Sequence, residues 1–342
     1  MLYKLPRARA SKKKFYALVI PDTHIGYILD TPTYSVGAWD VTLQALNALR
    51  DRLTHVIILG DMGDFESVSN WASLRAEQVF VEEDFALVNA RLDEISTISS
   101  LRDGDPLKVV YIEGNHEARL GFMEARYPAL RDALNPKVRL RLAERGWTWV
   151  PQRHFYALGE LHFAHGDIPG VKAPADMIRK KGVSTVYGHN HQHEVAHVHT
   201  LTGDRFAMSC GCLSSIDPPP PYMRGNVSEA WVHGFGLVQV RANGSFQVEF
   251  RQIFDESRTE LGDGSELLAS RSAVSLRLSQ DRQIRADLRR RYADRYYVPG
   301  GQVVRTEPHH GKARVNKAGE LIVSPTARTR RARIVRTLED QE

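Results

Sequence analysis

The chain has 342 residues, 42% of them hydrophobic, enough for one large domain or a domain with an appendage. It has no apolar run of membrane-spanning length and no apolar core behind its basic first residues, which excludes a membrane-embedded chain and predicts a soluble, cytoplasmic one without a membrane partner. The net charge of +5 is unevenly spread: residues 1–14 carry six Lys/Arg and no acid, and residues 257–342 carry 18 Lys/Arg against 11 Asp/Glu. The stretch between them holds 22 basic against 30 acidic residues. An acidic middle suits a cation site, and basic ends suit a polyanion, so nucleic acid is the expected partner through the termini.

In chain order, residues 15–20 read as a buried strand stopped by Pro21. Residues 39–52 have helical spacing, 55–59 form a second buried strand, and 68–100 a long helical stretch broken once. A third strand at 108–112 precedes a helix over 117–131, interrupted at Pro128. Residues 155–164 predict a hairpin turning at Gly159-Glu160, and 174–181 a short helix with proline near its start. A strand follows at 184–187, then strand-like runs near 194–200, 205–209 and 235–250, the last turning at Asn243-Gly244. Alternating strands and helices predict an α/β layered fold over 15–254. Residues 255–275 read as a linker, and 276–342 as a basic C-terminal extension or small accessory module with an Arg-rich helix over 279–297. Cys210 and Cys212 are too few for a disulfide scaffold and are expected as small buried residues.

Five short motifs carry the chemistry, and each falls just after a strand, where such folds gather ligands. They are Asp22-Thr23-His24, Gly60-Asp61-Met62-Gly63-Asp64, Gly114-Asn115-His116-Glu117, His165-Gly166 and Gly188-His189-Asn190-His191. Carboxylates with imidazoles suit Mn²⁺, Fe²⁺ or Zn²⁺ better than Ca²⁺. Asp61 is placed to bridge two ions, one per oxygen. Asn115 offers a neutral ligand, and His165, His189 and His191 complete the shell. His189 and His191 are expected to alternate on an extended segment and so serve different ions. Two cations about 3.5–4 Å apart can hold a hydroxide nucleophile and neutralise phosphoryl oxygens together. His116 is the candidate proton donor, a role typically worth about 10²–10⁴ in rate. Asp64 orients either His116 or a ligand. Glu117 does the same or only stabilises the following helix terminus. Arg119, one turn on, reaches a phosphate oxygen or forms a surface ion pair.

The ordered run D-x-H, G-D-x-x-D, G-N-H-E, H-G, G-H-x-H resembles the calcineurin-like metallophosphoesterase superfamily over roughly residues 15–250. The resemblance implies a four-layer β-sandwich flanked by helices with a binuclear site at one end. It implies that Asp22, His24, Asp61 and His191 hold one divalent ion and Asp61, Asn115, His165 and His189 the other. Mn is expected first, with Fe, Zn, Ni or Mg as alternatives. Phosphoprotein phosphatases read G-D-x-x-D-R-G, whereas Phe65-Glu66 follows Asp64 here, which argues against a protein phosphatase. The stretches around Asp61 and Asn115 are similar to DNA-repair-exonuclease-like members. The expected activity is therefore two-metal phosphoester hydrolysis on nucleic-acid or nucleotide phosphodiesters. A phosphomonoesterase is the alternative, and a non-catalytic scaffold is a third reading. His162, His193, His197 and His199 are expected to be structural or exposed. Tyr27, Trp39, Phe65, Trp71, Tyr187 and Tyr222 are expected mostly in the core, Pro218 to Pro221 as a stiff surface segment, and His309-His310 as exposed.

Overall fold

The computed structural model describes residues 13–28, 30–69, 80–170, 172–201, 203–217 and 230–292, together with four short strands at 303–304, 311–315, 321–325 and 334–335. The expectations for Trp71, Tyr222, the four prolines, His309-His310 and residues 1–12 lie outside the described residues. The elements run β1 (Phe15–Ile20), β2 (Tyr27–Ile28), β3 (Thr31–Pro32), α1 (Val36–Leu49), β4 (His55–Ile58), α2 (Val81–Ser100), β5 (Lys108–Ile112) and α3 (Asn115–Arg126). Next come α4 (Pro136–Arg139), β6 (Thr148–Val150), β7 (Tyr156–Leu158), β8 (Leu161–Ala164), α5 (Ala173–Lys181), β9 (Ser184–Tyr187), β10 (His193–Thr200) and β11 (Gly203–Cys210). The series closes with β12 (Gly234–Val240), β13 (Phe246–Gln252), β14 (Arg258–Glu260), β15 (Glu266–Leu268) and α6 (Arg271–Tyr292).

Six strands form one sheet in the order β13-β12-β1-β4-β5-β6, parallel from β1 to β6. Five form the other, in the order β10-β11-β9-β8-β7. Side chains alternate between the faces of a strand, so one strand feeds two layers. Ala17 and Val19 of β1 point between the sheets, beside Ile57, Val110, Phe163, Val186 and Met208. Leu18 and Ile20 point outward to Leu46, Leu92 and Ile95 of the covering helices. On the far side, α5 packs Met177 and Ile178 against Tyr187 and Ala207 of the second sheet. Helix, sheet, sheet and helix make the expected four layers. Strands buried on both faces read as continuous apolar runs, which is why 15–20, 55–59 and 108–112 stand out in the sequence. Cys210 and Cys212 are free and buried, as are Tyr27, Trp39, Phe65 and Tyr187.

Residues 255–275 are not a linker. They hold the β14–β15 hairpin and the start of α6, and α6 lies against α1 and α2. Helix composition hid this, because α6 joins the core through buried charge as well as through Val274, Leu278 and Ile284. Asp281, fully buried, accepts hydrogen bonds from the hydroxyls of Tyr34 (2.7 Å) and Tyr27 (3.3 Å) and from the Arg91 guanidinium (3.1 Å). Arg285 pairs with Glu83 at 3.1 Å and lies over the Tyr27 ring at 4.2 Å. Arg277 and Arg289 pair with Glu94 and Glu83 at 2.9 and 2.8 Å. Several arginines expected to face a polyanion therefore face the protein's own carboxylates.

Removing one member of a buried ion pair leaves an uncompensated charge, at a cost of about 3–5 kcal/mol. Asp281→Ala is expected to lose that much in urea unfolding of the full chain. A loss below about 1 kcal/mol, the scale of a surface pair, would contradict the seam.

Candidate metal centre

Parallel strands deliver the motifs at their carboxyl ends. Asp22 and His24 follow β1, Asp61 follows β4, and Asn115 opens α3 after β5. His165 follows β8, and His189 and His191 lie between β9 and β10. Four of these seven residues have left-handed backbones, with φ of 55° at His24, 47° at Asp61, 73° at His189 and 59° at His191. Such conformations cost on the order of 1–3 kcal/mol each in a non-glycine residue and persist only when surroundings hold them. Here the N–H groups of Thr23 and His24 both donate to the Asp61 carbonyl (3.0 and 2.9 Å), and the His189 N–H donates to Asp22 Oδ1 (2.8 Å). The expectation of strand alternation at His189 and His191 is thus corrected. The two rings diverge because both residues sit in a left-handed bend before β10.

Two glycines make room for the carboxylates. A Cβ on Gly114 would stand 2.1 Å from Asp61 Oδ1, and one on Gly188 would stand 2.1 Å from Asp22 Oδ2. Their place in G-N-H-E and G-H-N-H is steric.

Three sets draw their ligand atoms within 4.8 Å of one another: Asp22, His24 and His191; Asp61, His165 and His189; and His24, Asp64 and His116, of which the first two hold the ligand candidates. Asn115 Oδ1 lies 2.8 Å from both His165 Nε2 and His189 Nδ1, which places it with the second group. Asp61 stands between the two, with Oδ2 3.3 Å from His165 Nε2 and 3.8 Å from His24 Nε2. Its Oδ1 accepts the His116 N–H at 2.8 Å. Oδ2 is thus the Asp61 oxygen that faces both groups.

Hydrogen bonds on the far sides of the rings fix which nitrogens point inward. His165 Nδ1–H donates to the Leu59 carbonyl (3.0 Å), leaving Nε2 as a lone pair toward Asp61 and Asn115. His24 Nδ1–H donates to Asp64 (3.1 Å), leaving its Nε2 3.1 Å from His191 Nε2. Asp22 Oδ2 is buried without a hydrogen-bond partner. Acceptors facing acceptors in a buried site repel unless positive charge lies between them, so this donor set fits divalent cations. Positive charge is favoured at His165: burial pulls against it, yet Asp61 and Asp22 push its pKa up to about 10, so that a proton takes the Nε2 position a cation would otherwise fill.

Residues 15–213 match the calcineurin-like phosphoesterase family. The chain belongs to that family. No curated protein matches this phosphoesterase. Among solved structures it is similar to Vps29 of Chaetomium thermophilum, with 16% identity and a TM-score of 0.33, covering 75% of this chain and 95% of that one. Among the described residues no helix is long and apolar enough to cross a membrane.

Around the two groups of this metal-dependent phosphoesterase lie the remaining expected residues. His116 is buried, its Nδ1–H donating to the Asp64 carbonyl. Burial, with His24 and Arg119 nearby, pulls its pKa down to about 4 against the pull of Asp61. The same burial disfavours charge on the ring, and Arg119 donates to its Nε2 at 3.1 Å. Arg119 thus lies at the site and forms no surface ion pair among the described residues. Asp64 serves both residues considered for it, His24 through its carboxylate and His116 through its carbonyl. The grouping of His24, Asp64 and His116 is accordingly a hydrogen-bonded support. His162 lies in β8 and His193 stacks flat on Phe250 at 3.9 Å; neither belongs to the two groups.

Glu117, offered by the sequence as an orienting residue or a helix-terminus carboxylate, has a wider role, and Trp231 was missed. Glu117, fully buried, accepts from the N–H groups of Asp61 (2.9 Å), Met62 (2.8 Å) and Gly114 (3.1 Å) and from the Tyr111 hydroxyl (2.7 Å). It ties the two strand ends that carry Asp61 and Asn115. Trp231 packs edge-on against His191 at 4.0 Å and lines the cleft, which has a volume of about 290 Å³. No motif surrounds Trp231. Glu117 carried a signal in its position three residues past Gly114, where a carboxylate caps a helix start.

Glu117→Ala strands several buried donors and frees the Asp61 loop. It is expected to weaken Mn²⁺ binding about 10–100-fold and to lower stability by about 3 kcal/mol or more. Calorimetric titration of metal-free protein measures the first; unchanged affinity would show that the clamp does not position Asp61.

Proposed function

We propose that this chain is a two-metal phosphoester hydrolase whose substrates are nucleic-acid or nucleotide phosphodiesters. The observation that carries the proposal is Asp61 Oδ2 standing between two ligand groups, with His116 and Arg119 opening onto the same cleft. Asp22, His24, Asp61 and His191 would hold one ion, and Asp61, Asn115, His165 and His189 the other. Mn²⁺ suits these mixed carboxylate, imidazole and amide donors. When bound, the ions supply Lewis-acid stabilisation of phosphoryl oxygens and a lowered pKa for an attacking water.

The chain's own side chains do the rest. Arg119 is the one Lys/Arg among the described residues lining the cleft. A single cation there suits the one negative charge of a diester better than the nearly two of a monoester. As Arg119 turns to a phosphate oxygen it leaves His116 Nε2, whose lone pair is then free to take a proton from solvent water and pass it to the leaving oxygen. The Asp64 carbonyl holds the ring's other nitrogen and so fixes its direction.

Metal-free protein titrated with Mn²⁺ should hydrolyse an aryl phosphodiester in clear preference to the matching monoester. A monoester preference would replace the substrate class, and full metal binding without turnover of either would favour a scaffold. His116→Ala should keep both ions yet lose about 10²–10⁴ in turnover, most for poor leaving groups. Equal rates across leaving groups would remove His116 from proton transfer.

A further inference from the structure

We infer that α3 and the turns after it form a surface that binds single-stranded nucleic acid flanking the scissile phosphate; the choice of ligand rests on the phosphodiester reading above. The helix begins inside the cleft, which Asn115, His116 and Arg119 line. It then leads outward, and residues three, four and seven apart share a helix face. Phe122, three residues past Arg119, is 68% exposed, and Arg126, four residues further, is exposed too. Seven residues rise about 10.5 Å, a span of about three phosphates at the duplex spacing. The stripe continues into Tyr127, whose ring lies 5.5 Å from the Arg126 guanidinium.

Exposed rings are concentrated there. Of the ten exposed large hydrophobics among the described residues, Phe122, Tyr127, Leu130 and Val138 fall within this one stretch. The same stretch carries Arg126, Arg131 and Lys137, none with a carboxylate partner among the described residues. In α6, by contrast, Arg277, Arg285, Arg289 and Arg290 each have one, while Arg271, Arg282 and Arg291 have none among the described residues. Unpaired cations interleaved with solvent-facing rings are what an unstacked strand requires, phosphates on the cations and bases on the rings. An anionic membrane also attracts basic, apolar patches. Continuity with the cleft through Arg119 decides for a polymer, because one ligand can then occupy both.

The test uses the full chain and a fluorescent single-stranded oligonucleotide, with binding measured on metal-free protein over a salt series. Phe122→Ala with Tyr127→Ala is expected to weaken binding about tenfold or more. Arg126→Gln with Arg131→Gln should lower the slope of log K against log salt by about 1.4, near 0.7 for each phosphate left without its cation. All four side chains are exposed, so melting curves matching wild type are expected and would assign any loss to the surface. Affinity and slope unchanged in both pairs would overturn the inference. So would a loss of binding to phosphatidylserine vesicles with oligonucleotide binding retained. The two readings fail separately. Wild type that cleaves a short diester while the variants bind oligonucleotide as tightly as it does sinks the surface alone. Wild type that cleaves no diester, with binding lost in the variants, supports the surface and sinks the phosphodiesterase reading.

Discussion

Seven side chains point acceptor atoms into one small buried volume, and only positive charge makes that arrangement tolerable. Asp22 and Asp61 bring carboxylates, Asn115 an amide oxygen, and His24, His165, His189 and His191 imidazole nitrogens. Hydrogen bonds to Leu59 and Asp64 occupy the outward nitrogens of His165 and His24 and so turn lone pairs inward. The surrounding backbone is shaped to hold this arrangement. Left-handed residues aim the rings, Gly114 and Gly188 leave room for carboxylates, and Glu117 gathers the N–H groups of the Asp61 loop. Loosening any of these would let the acceptors move apart, which is the relaxation that mutual repulsion favours.

The support extends further along the chain than the matched family region. Tyr27 and Tyr34 flank the short hairpin that follows His24, and Thr33 donates to the His24 carbonyl at 2.6 Å. Both tyrosines bond Asp281 of α6, itself held by Arg91 of α2. A helix some 250 residues downstream is thus tied to the loop carrying a ligand candidate. Arg277, Arg285 and Arg289 are used in that attachment.

Sequence reading reached most of the site because metal ligands recur as short motifs at strand ends, and strands buried on both faces are easily seen. It mistook the route at His189 and His191, since left-handed backbone at a non-glycine residue leaves no local pattern. It placed Glu117 too low, because the value of that carboxylate lies in donors 54 to 56 residues away. It read 255–275 as a linker because polar composition looks alike in a loop and in a hairpin and helix held by ion pairs. Trp231 was invisible for a related reason: nothing near it in the sequence reports that the fold sets it against His191.

The central claim is that two cations are held, with Asp61 shared between them. Anomalous diffraction from crystals grown with Mn²⁺ tests it most directly. Two peaks are predicted, one bounded by Asp22, His24 and His191 and one by Asn115, His165 and His189, with Asp61 touching both. A single peak, or peaks bounded by other residues, would contradict the account.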